Sequence, residues 1–157
     1  MSDILEDKYQ GKLVRTEERV REWEYGLYEG KLTKEIREMR KAKGLDTERE
    51  WNIWTDGCEE GESAAQVSDR LDEVIREIRE IQGEFLDGKE GRGPRDVIVF
   101  AHGHSLRAFA KRWCGWEMGE RVPLMLEPGA VGILSYEHKS VEEPALLLGV
   151  NLGGGQI

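Results

Sequence analysis

The chain has 157 residues, 35% of them charged, and its 23 Lys and Arg against 32 Asp and Glu leave a formal charge of -9. A pI near 5.0 excludes the broad basic surface that a nucleic-acid backbone requires, so no nucleic-acid partner is expected, whereas a small anion needs only a local positive pocket. At this length about 68–70% of the unfolded surface is buried on folding, and a 38% hydrophobic fraction with five Trp supplies one core, so residues 1–157 are read as a single domain.

In chain order, residues 1–20 mix charges with Ile4, Leu5, Leu13, Val14 and Val20 at no sustained period. A loosely ordered arm over 1–16 is expected, with at most a short strand near Leu13 or Val20. From Thr33 to Lys43, Ile36, Met39 and Ala42 recur at helical spacing, with Thr33 as N-cap and Gly44 as terminator. Trp51 to Gly61 has no period and reads as an aromatic-rich loop. Ser63 and Gln66 form a capping box, after which Val67, Leu71, Val74, Ile75, Ile78, Ile81 and Phe85 make one apolar stripe, so a long helix runs from about Ala64 to about Phe85. Asp87 to Arg95, rich in Gly, is a polar connection. Asp96 to Ala101 (DVIVFA) is a continuous β-rich run of the kind buried on both faces of a parallel sheet. It passes through His102-Gly103-His104-Ser105 into a helix whose face carries Leu106, Phe109, Ala110 and Trp113. Gly129 to Glu137 and Pro144 to Leu152 read as two strands, antiparallel across the turn 138–143. Helices alternating with strands indicate the α/β class.

Two absences narrow the functional classes. The apolar runs Val97–Ala101 and Ala145–Val150 fall far short of the ~20 residues of a membrane span, and residues 1–10 carry charges where a signal peptide needs an apolar core. No membrane partner is expected, and the location is read as cytoplasmic, or also nuclear. Cys58 and Cys114, with no CxxC and no nearby His, suggest neither a zinc site nor a disulfide framework, so both are read as reduced thiols.

Chemistry is expected where a strand hands over to a helix, because the helix N-terminus offers free N–H groups and a positive dipole end to an anion. His102 to Ser105 occupies that place. Gly103 lets the backbone approach a ligand and His102 donates a hydrogen bond or a charge, which points to phosphate. A turn in which His102 only hydrogen-bonds locally and Ser105 caps the helix fits the spacing equally well. A second cluster, REWEYGLYEG from Arg21 to Gly30, crowds acids, aromatics and glycines without a period. A Glu held there against Trp and Tyr would have its pKa raised by desolvation and would act as a general acid. A solvated loop with surface ion pairs fits the acid-rich composition better. Glu62 and Ser63 read first as a helix cap and second as a hydrogen-bonding rim.

Taken together, EERVREWEYGLYEG, WNIWTDGCEEGES, VIVFAHGHSLRAFAKRW and GILSYEHKSVEEPAL resemble the histidine phosphatase (phosphoglycerate mutase-like) superfamily over about Glu17 to Leu148, with wording closest to its sedoheptulose-1,7-bisphosphatase-like branch. The resemblance implies a three-layer α/β/α fold and a phosphomonoesterase without metal or other cofactor. In it a histidine takes the phosphoryl group, a second histidine and arginines hold its oxygens, and a carboxylic acid protonates the leaving group. Glu22 matches the acid and His102 the second histidine. Arg21, Gly103, His104 and Ser105 become the expected phosphate-binding surround, with Arg107 supporting the turn and its helix.

The departure is equally plain, because the Arg-His-Gly segment that carries the family's nucleophile has no counterpart among His102, His104 and His138. Arg15 and Arg19 are the candidates to restore part of the lost positive charge. An incomplete fold lacking its first strand or strands is therefore expected, with the Val97 strand left at an unpaired edge, marginal stability and self-association through that edge. Three readings follow: an impaired phosphatase acting on a small phosphorylated sugar such as sedoheptulose 1,7-bisphosphate, a non-catalytic phosphate-binding or interaction module, and an enzyme in which His102 or His104 has taken the nucleophile's place. The loop Trp51–Glu62 is the expected source of substrate specificity.

Overall fold

A computed structural model describes residues 14–86 and 96–149. The expected arm up to Leu13, the connection 87–95 and the end of the last expected strand lie outside the described residues. Val20 belongs to no strand; it closes a 3-10 turn, Glu18–Val20, in which Glu17 accepts the Arg19 backbone N–H.

The first helix, α1 (Thr33–Ala42), starts one residue earlier than its sequence suggests. Leu32, not Thr33, is the N-cap: its backbone is extended and its N–H donates to Glu35 Oε2 at 2.7 Å. The Glu35 carboxylate supplies the half of a capping box that accepts the N-cap N–H, and its charge is favoured by the helix dipole. The aromatic loop contains one turn of helix, α2 (Ile53–Asp56), whose entry is capped by Asn52. Then α3 (Ala64–Leu86) begins with the expected box, Gln66 N–H to Ser63 Oγ at 3.2 Å and Ser63 N–H to Gln66 Oε1 at 2.8 Å. Its stripe buries Val67, Leu71, Val74, Ile75 and Ile78 but leaves the core at Ile81, which is exposed.

Against α3 packs α4 (Gly103–Trp113). Its buried face is turned from the expected one: Ser105, Ala108, Phe109, Lys111 and Trp113 are inside, and Leu106 and Ala110 only half-buried. Lys111 is inside because its ammonium donates to Met118 O and Glu120 O, both at 2.6 Å, and lies 4.9 Å from the Trp54 ring centroid. The two last strands pair as expected but are shorter. Antiparallel β1 (Ile133–Tyr136) and β2 (Pro144–Leu147) align Ile133 with Leu147 and Tyr136 with Pro144. The hairpin docks on the helices through Trp113 Nε1, which donates to Ser135 O at 3.1 Å, and Tyr136 Oη, which donates to Gln82 Oε1 at 2.7 Å.

The α/β class holds, yet its best expected strand does not form. Asp96 to Ala101 is without regular structure, and Ile98 and Phe100 are 75% and 89% exposed. Only Val99 packs against the core. A strand buried on both faces requires hydrogen-bonded neighbours and covering layers, and among the described residues no strand lies beside it. Met125, Val131 and Leu148 are likewise at least 85% exposed.

Candidate active site

Two irregular segments, 19–29 and 57–63, are zipped together before any candidate side chain is placed. Leu27 N–H donates to Glu59 O and Glu62 N–H to Glu24 O, both at 2.9 Å, while the Trp23 indole donates to Glu62 O at 2.8 Å. The approach is close enough that a Cβ at Gly26 or Gly61 would collide with Glu59 O or Glu24 O, and Gly26 also sits at φ +53°. Glycine is needed at both.

Beneath this zipper lies a buried ion network centred on Glu62. Its carboxylate receives Arg70 Nε at 2.8 Å and an Arg70 terminal nitrogen at 2.9 Å, Arg21 at 2.8 Å and the Glu24 backbone N–H at 3.1 Å. Burial pushes the Glu62 carboxyl up, but these donors, Arg70 first, outweigh it and hold it below the usual carboxylate range. Glu62 is thus neither cap nor rim. Arg70 is the member of this network that motif reading missed; its signal was a charge three residues after Val67, inside the apolar stripe of α3.

From this frame Glu22 reaches across to the start of α4. Its Oε1 accepts the backbone N–H of Ser105 at 2.9 Å and of Trp23 at 3.0 Å, and Oε2 accepts that of His104 at 3.2 Å. The REWEYG and AHGHS motifs, some eighty residues apart, therefore meet through one carboxylate. Ionisation runs opposite to the sequence expectation. Burial does push Glu22 up, but the N–H groups of Trp23, Ser105 and His104 hold it below its ordinary value of 4.5. Hydrogen bonds to the charged form win over desolvation because three of them converge.

The remaining expected residues divide. His102 is the extended N-cap of α4 and its side chain is exposed, while the position of a Cβ on Gly103 has no atom within 4 Å, so this edge of the turn is open. Ser105 is buried and its hydroxyl is engaged inside the turn, accepting His102 N–H at 3.3 Å and donating to His102 O at 3.2 Å. His104 packs against Tyr25 and Trp54, and its Nδ1 is hydrogen-bonded to the Tyr25 hydroxyl, 2.8 Å away. Burial, then Arg107, lowers its pKa, and burial likewise raises that of Tyr25. Held below 6.5, the His104 imidazole is neutral at pH 7. Arg107 lies over Trp54, 5.6 Å from the ring centroid, and donates to Gly103 O at 2.8 Å. Arg21 faces Glu62 and Glu18 O rather than the turn. Arg15 and Arg19 do not refill a pocket either: both bridge Glu17 and Glu77, whose carboxyls they pull down to about 2.

Among the described residues one group of metal-capable side chains comes together, Glu137, His138 and Glu143 on the exposed β1–β2 turn, where His138 Nδ1 is already hydrogen-bonded to Glu143. No described helix is long and apolar enough to cross a membrane.

Comparison with known proteins places this geometry. The family described as histidine phosphatase superfamily (branch 1) matches residues 4–146. A sedoheptulose 1,7-bisphosphatase of Saccharomyces cerevisiae is 40% identical over 92% of this chain and 64% of its own length. An acid phosphatase of Mycobacterium tuberculosis is 36% identical over 74% of this chain and 49% of its own. A solved structure of a Mycobacterium tuberculosis open reading frame superposes with a TM-score of 0.60 at 33% identity, covering 81% of this chain and 55% of that one. The chain thus spans between about half and two thirds of the length of these relatives. With a family match over most of its residues and two relatives above 30% identity, the chain belongs to the histidine phosphatase superfamily.

Proposed function

We propose that this chain carries the acid and the second histidine of a metal-independent phosphomonoesterase site, that the substrate is a sugar phosphate or bisphosphate such as sedoheptulose 1,7-bisphosphate, and that the 157 residues alone are impaired in turnover. The observation that carries the reading is Glu22 seated on the N–H groups of His104 and Ser105. It joins the acid to the helix start where a phosphoryl group would be held. The yeast relative's printed activity supports the substrate class.

In this reading His102, exposed at the N-cap beside the open Gly103, hydrogen-bonds a phosphoryl oxygen and adds charge when protonated. Glu22 rests as a carboxylate. A phosphate that takes over the His104 and Ser105 N–H groups would leave burial and like-charge repulsion acting on Glu22, both of which favour its protonated form. Glu22 would then hand that proton to the sugar oxygen as the P–O bond breaks. The phosphoryl acceptor is what the 157 residues do not provide: His102, His104 and His138 each lack the preceding Arg of the family's nucleophile, and His104 has Nδ1 tied to Tyr25.

The test is inorganic phosphate release from a panel of sugar mono- and bisphosphates, with His102→Ala as control. Release that His102→Ala abolishes would show that the remaining histidines suffice and would overturn the impairment. A second reading, a non-catalytic phosphate-binding or interaction module, is favoured by the uncovered apolar segment 97–100. Binding of sugar bisphosphate by calorimetry without turnover, together with concentration-dependent self-association, would select it.

A further inference from the structure

Arg70 is 8% exposed and every N–H of its guanidinium has an acceptor. Two go to Glu62; the others go to Arg19 O at 2.6 Å, Arg21 O at 3.0 Å and Glu22 O at 3.4 Å. An ion pair this deep is a weak device for stability, since a well-packed apolar pair of the same volume usually does as well or better. What no apolar side chain does is satisfy three carbonyls of an irregular main chain at once, which suits the planar, five-donor fork of arginine and not the point charge of lysine. The main chain so pinned carries Glu22. The helix that does the pinning, α3, is also the one on which α4 packs. Both ends of the Glu22-to-Ser105 hydrogen bond are therefore referenced to the same helix.

We propose that Arg70, locked by Glu62, is a positioning residue that sets the Glu22 carboxylate on the N-terminus of α4. Its place in a reaction rests on the reading of Glu22 as the acid; its effect on Glu22 does not. Arg70 touches neither the carboxylate of Glu22 nor the turn His102–Ser105, so it acts through backbone placement alone.

The experiment follows Glu22 directly in the 157-residue chain, by titrating 13C-labelled glutamate carboxyls by NMR and measuring amide hydrogen exchange at Ser105. Wild type is compared with Arg70→Met, Arg70→Lys and Glu62→Gln, each first checked for native circular dichroism. The expected result in the folded variants is an upward move of Glu22's titration toward the ordinary carboxylate range and a loss of Ser105 amide protection of about tenfold or more. Arg70→Lys should fall between wild type and Arg70→Met, because it restores charge without the fork. If Arg70→Met does not fold, Arg70→Lys and Glu62→Gln carry the test. Glu22 and Ser105 unchanged in any folded variant of Arg70 overturns the positioning role. A Glu22 titration that bound sugar phosphate does not move upward instead removes the acid reading, and the two failures are thereby told apart.

Discussion

Along α3 and α4 the apolar residues Val67, Leu71, Ala108 and Trp113 are at most 2% exposed, whereas between Val97 and Phe100 three of four are exposed, Phe100 to 89%. Residue for residue the exposed stretch is the more apolar of the two. They differ in where their hydrogen bonds come from. A helix satisfies its backbone within itself and needs only one face covered, so α3 and α4 complete each other. A strand depends on neighbours for every N–H and C=O and, in a parallel sheet, on layers above and below. The candidate site stands on the self-sufficient region: Glu22, His104 and Ser105 meet where α3, α4 and the zipped loops 19–29 and 57–63 converge.

That contrast is open to breaking. Leu71→Ala, in the fully buried contact of α3, should cost about 2–5 kcal/mol in urea unfolding, and a cost near zero would mean that the helical pair is not the stability core. Removing the carboxylate of Glu22 by Glu22→Ala takes away a cap shared by Trp23, His104 and Ser105, and about 1–2 kcal/mol of destabilisation is expected by the same measurement. An unchanged midpoint would separate the two motifs that the structure joins.

Acidification sharpens the comparison without mutation. His104 is a base held below its ordinary 6.5, so the unfolded chain takes up a proton that the folded chain refuses. Stability should therefore begin to fall as pH drops through about 6.5. Glu22 and Glu62 are carboxyls held below 4.5; their contribution is complete above that value and is lost as pH falls through their depressed ones. A melting temperature that stays level from about pH 7 to about pH 5 in His138→Gln, which removes the opposite contribution of the imidazole that Glu143 holds above its ordinary value, would contradict the placement of His104. At the small end, Phe100→Ser should change stability by no more than about 0.5 kcal/mol while lowering self-association in sedimentation. A large destabilisation would show that the 97–100 segment is covered after all.

Much of this was legible from residues close in sequence. The Ser63–Gln66 box, the length of α3, the existence of a helix carrying Leu106 to Trp113 and the pairing of β1 with β2 each depend on neighbours within a few positions, although α4 begins at Gly103, inside the segment read as a turn. Local reasoning slipped where a competing local partner existed, as when Glu35 moved the cap of α1 from Thr33 to Leu32. The AHGHS and REWEYG wording pointed to Glu22 and His102 by resemblance, but nothing in either motif told how Glu22 would ionise. Desolvation alone argued for a raised pKa; three converging N–H groups reversed it. Arg21, Arg15 and Arg19 were candidates by charge, and each turned out to face carboxylates on or near α3.

The sequence by itself determined the three longer helices, the capping box of α3, the hairpin and the superfamily, because such boxes and periodicities are set by residues three or four apart and family motifs are runs of neighbours. Only the tertiary structure decided that Arg70 holds the backbone of Glu22, that Glu22 rests as an anion on α4, and that Asp96–Ala101 forms no strand among the described residues. Each of these is a hydrogen-bonding question whose donor and acceptor lie dozens of residues apart or have no partner at all, and the strength of such a bond depends on burial and geometry that no local pattern encodes.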